Sequence, residues 1–267
     1  MTNRPFKLSA TSLSCFLESP KAFFFRYIKR LEPIGQSVQD FSHDKICGIL
    51  WSGFVDRFYK RCDEQKNLKF LLDAWHEQTE GWVPEKIALK YAAAMQAWAT
   101  AYYQQFSPDD GVRNGSEKRV ENERFVGYLD GLSHDGKILH ECKSTSRGKQ
   151  ISEQILKFQM SLQTKLYAVL ARAEGILYEF AYKDEPYAVF RAPVYPFTPE
   201  EVAGWEKGFN ALADYIYSLG TDSDNYICCG DQCAIVTKNF VSVCPYQPLC
   251  LGMEGAEIGF KPKEHRK

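Results

Sequence analysis

The chain has 267 residues, of which 45% are hydrophobic and 14% aromatic, and this is enough to build one substantial core. Its formal net charge of −1 gives no overall basic field of the kind that marks many nucleic-acid-binding proteins. The sequence shows neither an apolar run long enough to span a membrane nor a signal peptide at its beginning, so we expect a cytoplasmic protein. Nine cysteines in that compartment favour metal or cluster ligation over disulfide bonds.

The predicted elements begin with helices, continue with strands around one long helix, and end with a further helix and an irregular cysteine-rich tail. Predicted helices cover residues 11–30 (as one or two short helices), 43–62, 67–106, about 152–174 and 198–220, and predicted strands cover 117–126, 128–134, 137–143, 176–183 and 187–194. This alternation predicts a mixed central sheet flanked by helices. We expect a single domain with a mainly helical part (1–110), a core (111–224) and a cysteine-rich C-terminal part (225–267).

A charged hairpin stands out within the predicted core. The dipeptide Asp135-Gly136 favours a tight two-residue turn. Counting back from that turn places Asp130 directly opposite Glu141, with Cβ atoms roughly 5 Å apart, and places Lys143 on the same face. Two opposed carboxylates repel each other unless a cation lies between them, and Mg²⁺ is a natural candidate. The alternative is a solvated surface acid pair beside a lysine.

The helix after the hairpin adds Gln163 and Tyr167, which are four residues apart and therefore share one helical face. Alone, this pair fits any amphipathic helix. The order of three blocks, however, resembles the PD-(D/E)xK nuclease superfamily and its RecB-type branch. The blocks are Gly127-x-x-Asp130, Glu141-x-Lys143-Ser144-Thr145 and Gln163-x-x-x-Tyr167.

The resemblance implies a restriction-endonuclease-like fold and roles for these residues. Asp130, Glu141 and the backbone carbonyl of Cys142 would bind Mg²⁺ or Mn²⁺. Lys143 would orient or activate the attacking water, while Gln163 and Tyr167 would support the site and the DNA strand.

One position departs from the family pattern. The RecB-type branch usually carries a histidine metal ligand four residues after a glycine in an early helix. In this chain Gly48 is followed at that offset by Ser52. Glu121 or Glu123 could complete the metal sphere instead, or the site could hold one metal loosely or have weakened activity.

The cysteines at the two ends of the chain resemble those of iron–sulfur members of this branch, which include CRISPR-associated and AddB-type exonucleases. That resemblance implies a 4Fe-4S cluster held by Cys15, Cys233, Cys244 and Cys250. The spacing between Cys233 and Cys244 is longer than usual, so Cys228 and Cys229 are alternative ligands. Zinc bound by the same thiolates and simple packing of buried cysteines are alternatives.

A basic, aromatic segment near the beginning of the chain is the candidate DNA-binding surface. It contains Lys21, Arg26, Lys29 and Arg30 among several phenylalanines and tyrosines. Bases can neutralise phosphates while aromatic rings stack on nucleobases, which suits single-stranded DNA. Alternatively the aromatic residues fill the core and only the charges are exposed.

The function that the resemblance implies is metal-dependent hydrolysis of DNA. We expect an exonuclease that acts on single-stranded ends in phage or prokaryotic DNA processing, with recombination or CRISPR-adaptation proteins as partners. One alternative is a catalytically weak or inactive DNA-binding subunit of a recombination or spacer-acquisition complex. Another is an iron–sulfur redox or sensor protein in which the acids are incidental.

Overall fold

A computed structural model describes residues 6–33, 43–79, 85–113, 117–145, 151–227, 234–237, 240–243, 246–250 and 255–262. Nine α-helices are found within those ranges: α1 (Ala10–Glu18), α2 (Pro20–Phe23), α3 (His43–Tyr59), α4 (Glu64–Thr79), α5 (Glu85–Gln105), α6 (Ile151–Gln159), α7 (Leu162–Ala171), α8 (Pro199–Ser218) and α9 (Gln247–Cys250). The strands there are β1 (Leu31–Pro33), β2 (Lys118–Glu121), β3 (Val126–Leu129), β4 (Gly131–Leu132), β5 (Ile138–Thr145), β6 (Gly175–Tyr182), β7 (Val189–Arg191), β8 (Tyr195–Pro196), β9 (Ala234–Thr237), β10 (Phe240–Val243) and β11 (Phe260–Pro262). Among these described residues no helix is long and apolar enough to cross a membrane.

The chain divides into two compact units. The larger consists of residues 41–122 and 127–206, and the smaller of residues 1–40, 123–126 and 207–267. The prediction of a single domain with three consecutive parts stays a prediction.

The larger unit is built around a mixed five-stranded sheet in the order β4-β5-β6-β7, with β8 also paired to β6. Strands β5 and β6 are parallel, and the other pairs are antiparallel. The predicted mixed sheet with helices is therefore confirmed. Strand β6 is buried along almost its whole length and β5 along most of it, as expected for a parallel pair covered on both faces.

Two apolar clusters cover the two faces of that sheet. One contains side chains of α3, α4 and α5 together with Cys142 and Ala181 of the sheet. The other contains Leu139 and side chains of β6 and α7. Alternate residues of β5 thus face different helices, which separates the chemistry of its two faces.

The predicted hairpin has the expected register but a longer turn. The register pairs Leu132 with Leu139 and Gly131 with His140, as the sequence predicted, but the ladder ends there and does not include the predicted direct pairing of Asp130 with Glu141. The last hydrogen bond before the turn runs from the backbone N–H of Ser133 to the carbonyl of Ile138, at 2.9 Å. The turn therefore contains four residues instead of the predicted two.

The predicted helix at 152–174 is divided into α6 and α7. Ser161 lies between them in an extended conformation, and its hydroxyl accepts a hydrogen bond from the backbone N–H of Thr164 at 3.2 Å. Serine is a preferred N-cap residue, so it starts a new helix here instead of continuing the old one. The predicted helical stretch 67–106 is likewise divided into α4 and α5.

In the smaller unit, segments near the two ends of the chain meet. Strand β1 pairs with β11 in an antiparallel ladder. The hydroxyl of Tyr246 donates to the carbonyl of Leu31 at 2.9 Å, and the Tyr246 ring stacks on Phe25 and Phe260 with centroid distances of 6.3 and 5.5 Å.

Candidate active site

Asp130 lies at a break in the strand pattern between β3 and β4. Leu129 and Leu132 both belong to the cluster that faces α7, although residues three apart in a regular strand point to opposite faces. Gly131 lies against Arg113 instead. Asp130 is therefore an extra residue of the β-bulge type, at which the alternation of side chains between the two faces is interrupted. Its side chain does not follow the regular pattern of the strand.

The Asp130 carboxylate is held at both oxygens. The Ser52 hydroxyl in α3 donates to Oδ1 at 3.0 Å, and the backbone N–H of Cys142 donates to Oδ2 at 2.8 Å. Because the N–H and C=O groups of one strand residue point to the same edge, the Cys142 carbonyl also faces the edge of β5 at which Asp130 lies.

Glu141 and Lys143 project from β5 toward α7. Lys143 Nζ lies 2.5 Å from Glu141 Oε2. Gln163 of α7 lies 3.5 Å from both groups, with its Nε2 toward Glu141 Oε2 and its Oε1 toward Lys143 Nζ. The three side chains that the sequence predicted to work together are thus adjacent.

The electrostatics of this cluster favour a cation. Glu141 is only 2% exposed, and burial raises its pKa to about 7; Lys143 lowers the pKa and Asp130 raises it. Burial alone would lower the pKa of Lys143, but attraction to Glu141 and Asp130 outweighs burial and raises it. Burial is the main cause of the raised pKa of Glu141 and Asp130 adds to it, so a cation near the two carboxylates would favour the charged form of Glu141.

Tyr167 locks α7 onto the strand that leads to Asp130. A Cβ atom at Gly127 would lie 2.6 Å from the Tyr167 ring, so only glycine permits this approach. Burial raises the pKa of Tyr167, whose hydroxyl is hydrogen-bonded by the Gln163 side chain and the backbone of Tyr128. Tyr167 is 8% exposed, which suits a residue that positions Gln163.

The donor set fits a hard divalent cation. The Asp130 carboxylate and the Cys142 carbonyl lie at one edge of β5 and the Glu141 carboxylate lies on the adjoining face, and such oxygen ligands are those that Mg²⁺ and Mn²⁺ prefer. Glu121, by contrast, pairs with Arg119 at 2.6 Å, and Glu123 is an exposed residue before β3. Their role as additional metal ligands stays a prediction.

Sequence reasoning missed Asp56 and Arg113. The Arg113 side chain is fully buried, and its NH2 lies 3.2 Å from Asp56 Oδ1. Asp56 lies one helical turn after Ser52, and that spacing was the available signal. Arg113 lies in a turn-rich segment that gave no signal of burial.

A second polar cluster lies on the opposite face of β5. Ligand atoms of His140, Cys142 and Glu179 lie within 4.8 Å of one another. Glu179, however, already accepts hydrogen bonds from Arg191 Nε and the Tyr102 hydroxyl, both at 2.6 Å, and lies 2.9 Å from His140 Nε2. With a cationic arginine on its carboxylate, this group is a closed ion network and a poor cation site.

Of the predicted cluster ligands, Cys15 and Cys250 are described, and neither forms a disulfide. Both lie near Tyr246: burial raises the pKa of Tyr246 to about 12, with Cys15 contributing, and the Cys250 N–H donates to the Tyr246 carbonyl at 2.9 Å. Cys233 and Cys244 lie outside the described residues, as do the alternatives Cys228 and Cys229.

The predicted DNA-binding residues lie in the smaller unit. Arg26, Lys29 and Arg30 are exposed, whereas Lys21 is half-buried and its ammonium donates to the carbonyl of Ser223. Phe23 and Phe24 are fully buried, so they are core residues, while Phe25 and Tyr27 remain partly exposed.

Comparison with known proteins gives one family and two similar structures. The model of the PD-(D/E)XK nuclease superfamily matches residues 7–250. The chain is similar to the crystal structure of a phage-related exonuclease from Haemophilus somnus 129PT, with 14% identity, coverage of 63% of this chain and 92% of that chain, and a TM-score of 0.37. It is also similar to the crystal structure of a protein designated SSO0001, with 13% identity, coverage of 62% and 74%, and a TM-score of 0.26. No curated protein gives a significant match.

Proposed function

The chain belongs to the PD-(D/E)XK nuclease superfamily, and from this premise we propose that it is a metal-dependent DNA nuclease that hydrolyses phosphodiester bonds. The observation that carries the proposal is that Asp130 lies at the Cys142 edge of β5, while Glu141 and its partner Lys143 project from the same stretch of that strand. A buried glutamate beside a second, partly buried carboxylate is an arrangement that a divalent cation can complete.

Each residue then has a role that its contacts support. Asp130, Glu141 and the Cys142 carbonyl hold Mg²⁺ or Mn²⁺, which when bound polarises a phosphate and lowers the pKa of water. Lys143 supplies positive charge against the charge that develops on the phosphate and helps to orient the attacking water. Gln163 holds the carboxylate and the ammonium in place, and Tyr167 fixes Gln163.

The finer assignment is an exonuclease that acts on single-stranded DNA ends. It is supported by the order of the three sequence blocks, which resembles the RecB-type branch, and by Arg26, Lys29 and Arg30. These exposed basic side chains can contact phosphates, and the partly exposed rings of Phe25 and Tyr27 can stack on nucleobases. The same resemblance supports a place in phage or prokaryotic DNA processing, with recombination or CRISPR-adaptation proteins as partners.

We test the function with labelled linear single-stranded DNA, circular single-stranded DNA and duplex DNA in Mg²⁺ or Mn²⁺. The expected result is metal-dependent cleavage of the linear single strand that is lost in Lys143→Met. Lys137→Met is the matched control, because Lys137 precedes the same strand and pairs with Glu174 at the surface. Cleavage that persists in Lys143→Met overturns the assignment, and cleavage of the circle would show endonuclease activity.

A second candidate function is an inactive or weakly active DNA-binding subunit. The observation that favours it is Ser52, whose hydroxyl lies on Asp130 where the family pattern has a histidine ligand. Binding of the same DNA without cleavage in either metal would establish this alternative.

We also propose a 4Fe-4S cluster held by Cys15, Cys233, Cys244 and Cys250, with Cys228 or Cys229 as alternative ligands. It is supported by the position of Cys15 and Cys250 near Tyr246 and by the pairing of β1 with β11. The cluster would be structural, since hydrolysis needs no electron transfer.

Iron analysis of anaerobically purified protein tests the cluster. We expect roughly four iron atoms per chain and broad absorbance near 400 nm. Cys15→Ser and Cys250→Ser should lose the iron, whereas Cys47→Ser, a change at a buried core position, should keep it. One zinc and no iron would replace the cluster with a zinc site, and no metal would leave ordinary packed cysteines.

A further inference from the structure

Two side chains of helix α3, one turn apart, act on the Asp130–Gly131 corner, one by direct contact and one through Arg113. The Ser52 hydroxyl donates to Asp130 Oδ1 at 3.0 Å. Asp56, four residues later on the same helical face, lies 3.2 Å from NH2 of Arg113 through its Oδ1. Helix α3 thus contacts the Asp130 carboxylate directly through Ser52, and it acts on Gly131 indirectly, through Arg113.

Arg113 fixes the backbone that follows Asp130. Its side chain has no solvent exposure, and a Cβ atom at Gly131 would lie 2.6–2.8 Å from its Nε, Cδ and Cγ atoms. A buried guanidinium requires a partner, and Asp56 provides an anionic one. Gly131 therefore lies flat against an arginine that is itself held by α3.

The hydrogen bonds on Asp130 leave room for a cation. Ser52 occupies one lone pair of Oδ1 and the Cys142 N–H occupies one lone pair of Oδ2, so each oxygen keeps a second lone pair. Hydrogen bonds to a ligating carboxylate orient it, and their loss typically costs 10- to 100-fold in metal affinity or activity.

We propose that Ser52, together with the Asp56–Arg113 pair, forms a positioning frame that fixes Asp130 for cation binding. Ser52 is thus a positioning residue that acts through Asp130. The inference rests on the proposed function for its cation, whereas the contacts of the frame involve only residues of this chain. It assigns a positive role to a serine that otherwise counts only as a departure from the family pattern.

The first test needs no metal. In protein labelled with ¹⁵N-cysteine, the amide resonance of Cys142 reports its hydrogen bond to Asp130. We expect Ser52→Ala to shift this resonance and Ser52→Thr, which keeps the hydroxyl, to leave it near its wild-type position. An unchanged Cys142 amide in Ser52→Ala overturns the positioning frame.

The second test measures Mn²⁺ binding by electron paramagnetic resonance. Ser52→Ala should raise the Kd for Mn²⁺ about tenfold, and Ser52→Thr should restore it to within about twofold. Gly131→Ala, which displaces Arg113, should raise the Kd as well. A merely structural role would lower the melting temperature and leave the Kd of the folded protein unchanged, and that result overturns the inference.

The two tests separate the two ways of failing. Wild-type protein that binds no Mn²⁺ contradicts the proposed function, and the Cys142 amide then decides alone whether the frame exists. Wild-type protein that binds Mn²⁺ with the same Kd as Ser52→Ala leaves the proposed function intact and removes Ser52 from it.

Discussion

The two faces of β5 each lie beside a buried glutamate, and the surroundings of these two side chains are opposite. Glu141 is 2% exposed and Glu179, on the neighbouring strand, is 1% exposed. Burial raises the pKa of Glu141 to about 7. Burial alone would also raise that of Glu179, but His140, Arg191 and Tyr102 outweigh it and lower the pKa to about 2.

The difference lies in the partners. Glu179 has two hydrogen-bond donors at 2.6 Å, one of them cationic, and a nearby histidine. Glu141 has one close lysine, a Gln163 contact at 3.5 Å, and a second acid beside it. Breaking a buried charge network by removing one partner destabilises a fold, whereas a buried acid whose charged form is disfavoured is a candidate ligand site.

The largest effect expected on the Glu141 face is on catalysis. Asp130→Asn should slow cleavage of single-stranded DNA by about 10³-fold or more, because a bound metal contributes several kcal/mol to the transition state. Asparagine keeps one acceptor for the Ser52 or Cys142 donor, so we expect the melting temperature to change little. A near-wild-type initial rate would contradict the role of this face.

The largest effect expected on the Glu179 face is on stability. Glu179→Gln should lower the free energy of unfolding by roughly 3 kcal/mol, because it removes the buried carboxylate that pairs with Arg191 Nε, although Arg191 keeps its ion pair with Asp110. Urea unfolding measures the change. Glu174→Gln is the matched control: Glu174 pairs with Lys137 at the surface, so its loss should cost about 0.5 kcal/mol. Equal losses for the two substitutions would refute the comparison.

The acid stability of the protein should also depend on Glu179. Its pKa in the folded protein is about 2, below the ordinary value of 4.5, so its stabilisation is complete above that ordinary value and is lost as the pH falls through about 2. The shift corresponds to roughly 3 kcal/mol. Unfolding measured between about pH 5 and pH 2 should show this component in the wild type and lack it in Glu179→Gln. If the free energy of unfolding depended on pH in the same way in both proteins, Glu179 would not be the source of this acid sensitivity.

The smallest effect tests the contact between α7 and the strand before Asp130. Gly127→Ala places a methyl group 2.6 Å from the Tyr167 ring and should destabilise the protein by about 1–3 kcal/mol. Displacing Tyr167 should also disturb Gln163, so we expect slower cleavage. Gly204→Ala in α8 meets no atom within 4 Å and should be neutral or stabilising. Similar behaviour of the two alanine variants would show that the contact is unimportant.

Much of the acid face could be predicted from short-range patterns. The Asp135-Gly136 signal predicted the correct register for the two pairs that form, because every pair in an antiparallel ladder follows from one pair, although the loop has four residues instead of two. The helical spacing of Gln163 and Tyr167 predicted that they share a face of α7, and the family resemblance assigned that face to the site near Glu141. The hairpin register and the shared helical face depend on residues that are close in sequence, where backbone geometry decides.

The remaining features depend on tertiary packing. The break at Asp130 arises because Leu129 and Leu132 both face α7, and alternation alone predicts a regular strand there. The partner of Ser52 is 78 residues away. Arg113 becomes buried only because Gly131 leaves space for it. One feature of the sequence could have indicated the ion network around Glu179, because Glu179 is the only acidic residue in the apolar stretch "ILYEFAYK".

The most direct test of the central claim asks which face of β5 binds a divalent cation. Mn²⁺ binding is measured by electron paramagnetic resonance in wild-type protein, Asp130→Asn and Cys142→Ala. Cys142→Ala removes the thiol from the Glu179 face and keeps the backbone carbonyl and N–H that face Asp130. We predict that Cys142→Ala binds Mn²⁺ like the wild type and that Asp130→Asn does not bind it. Binding that survives in Asp130→Asn and disappears in Cys142→Ala would contradict the account, because it would place the cation on the opposite face.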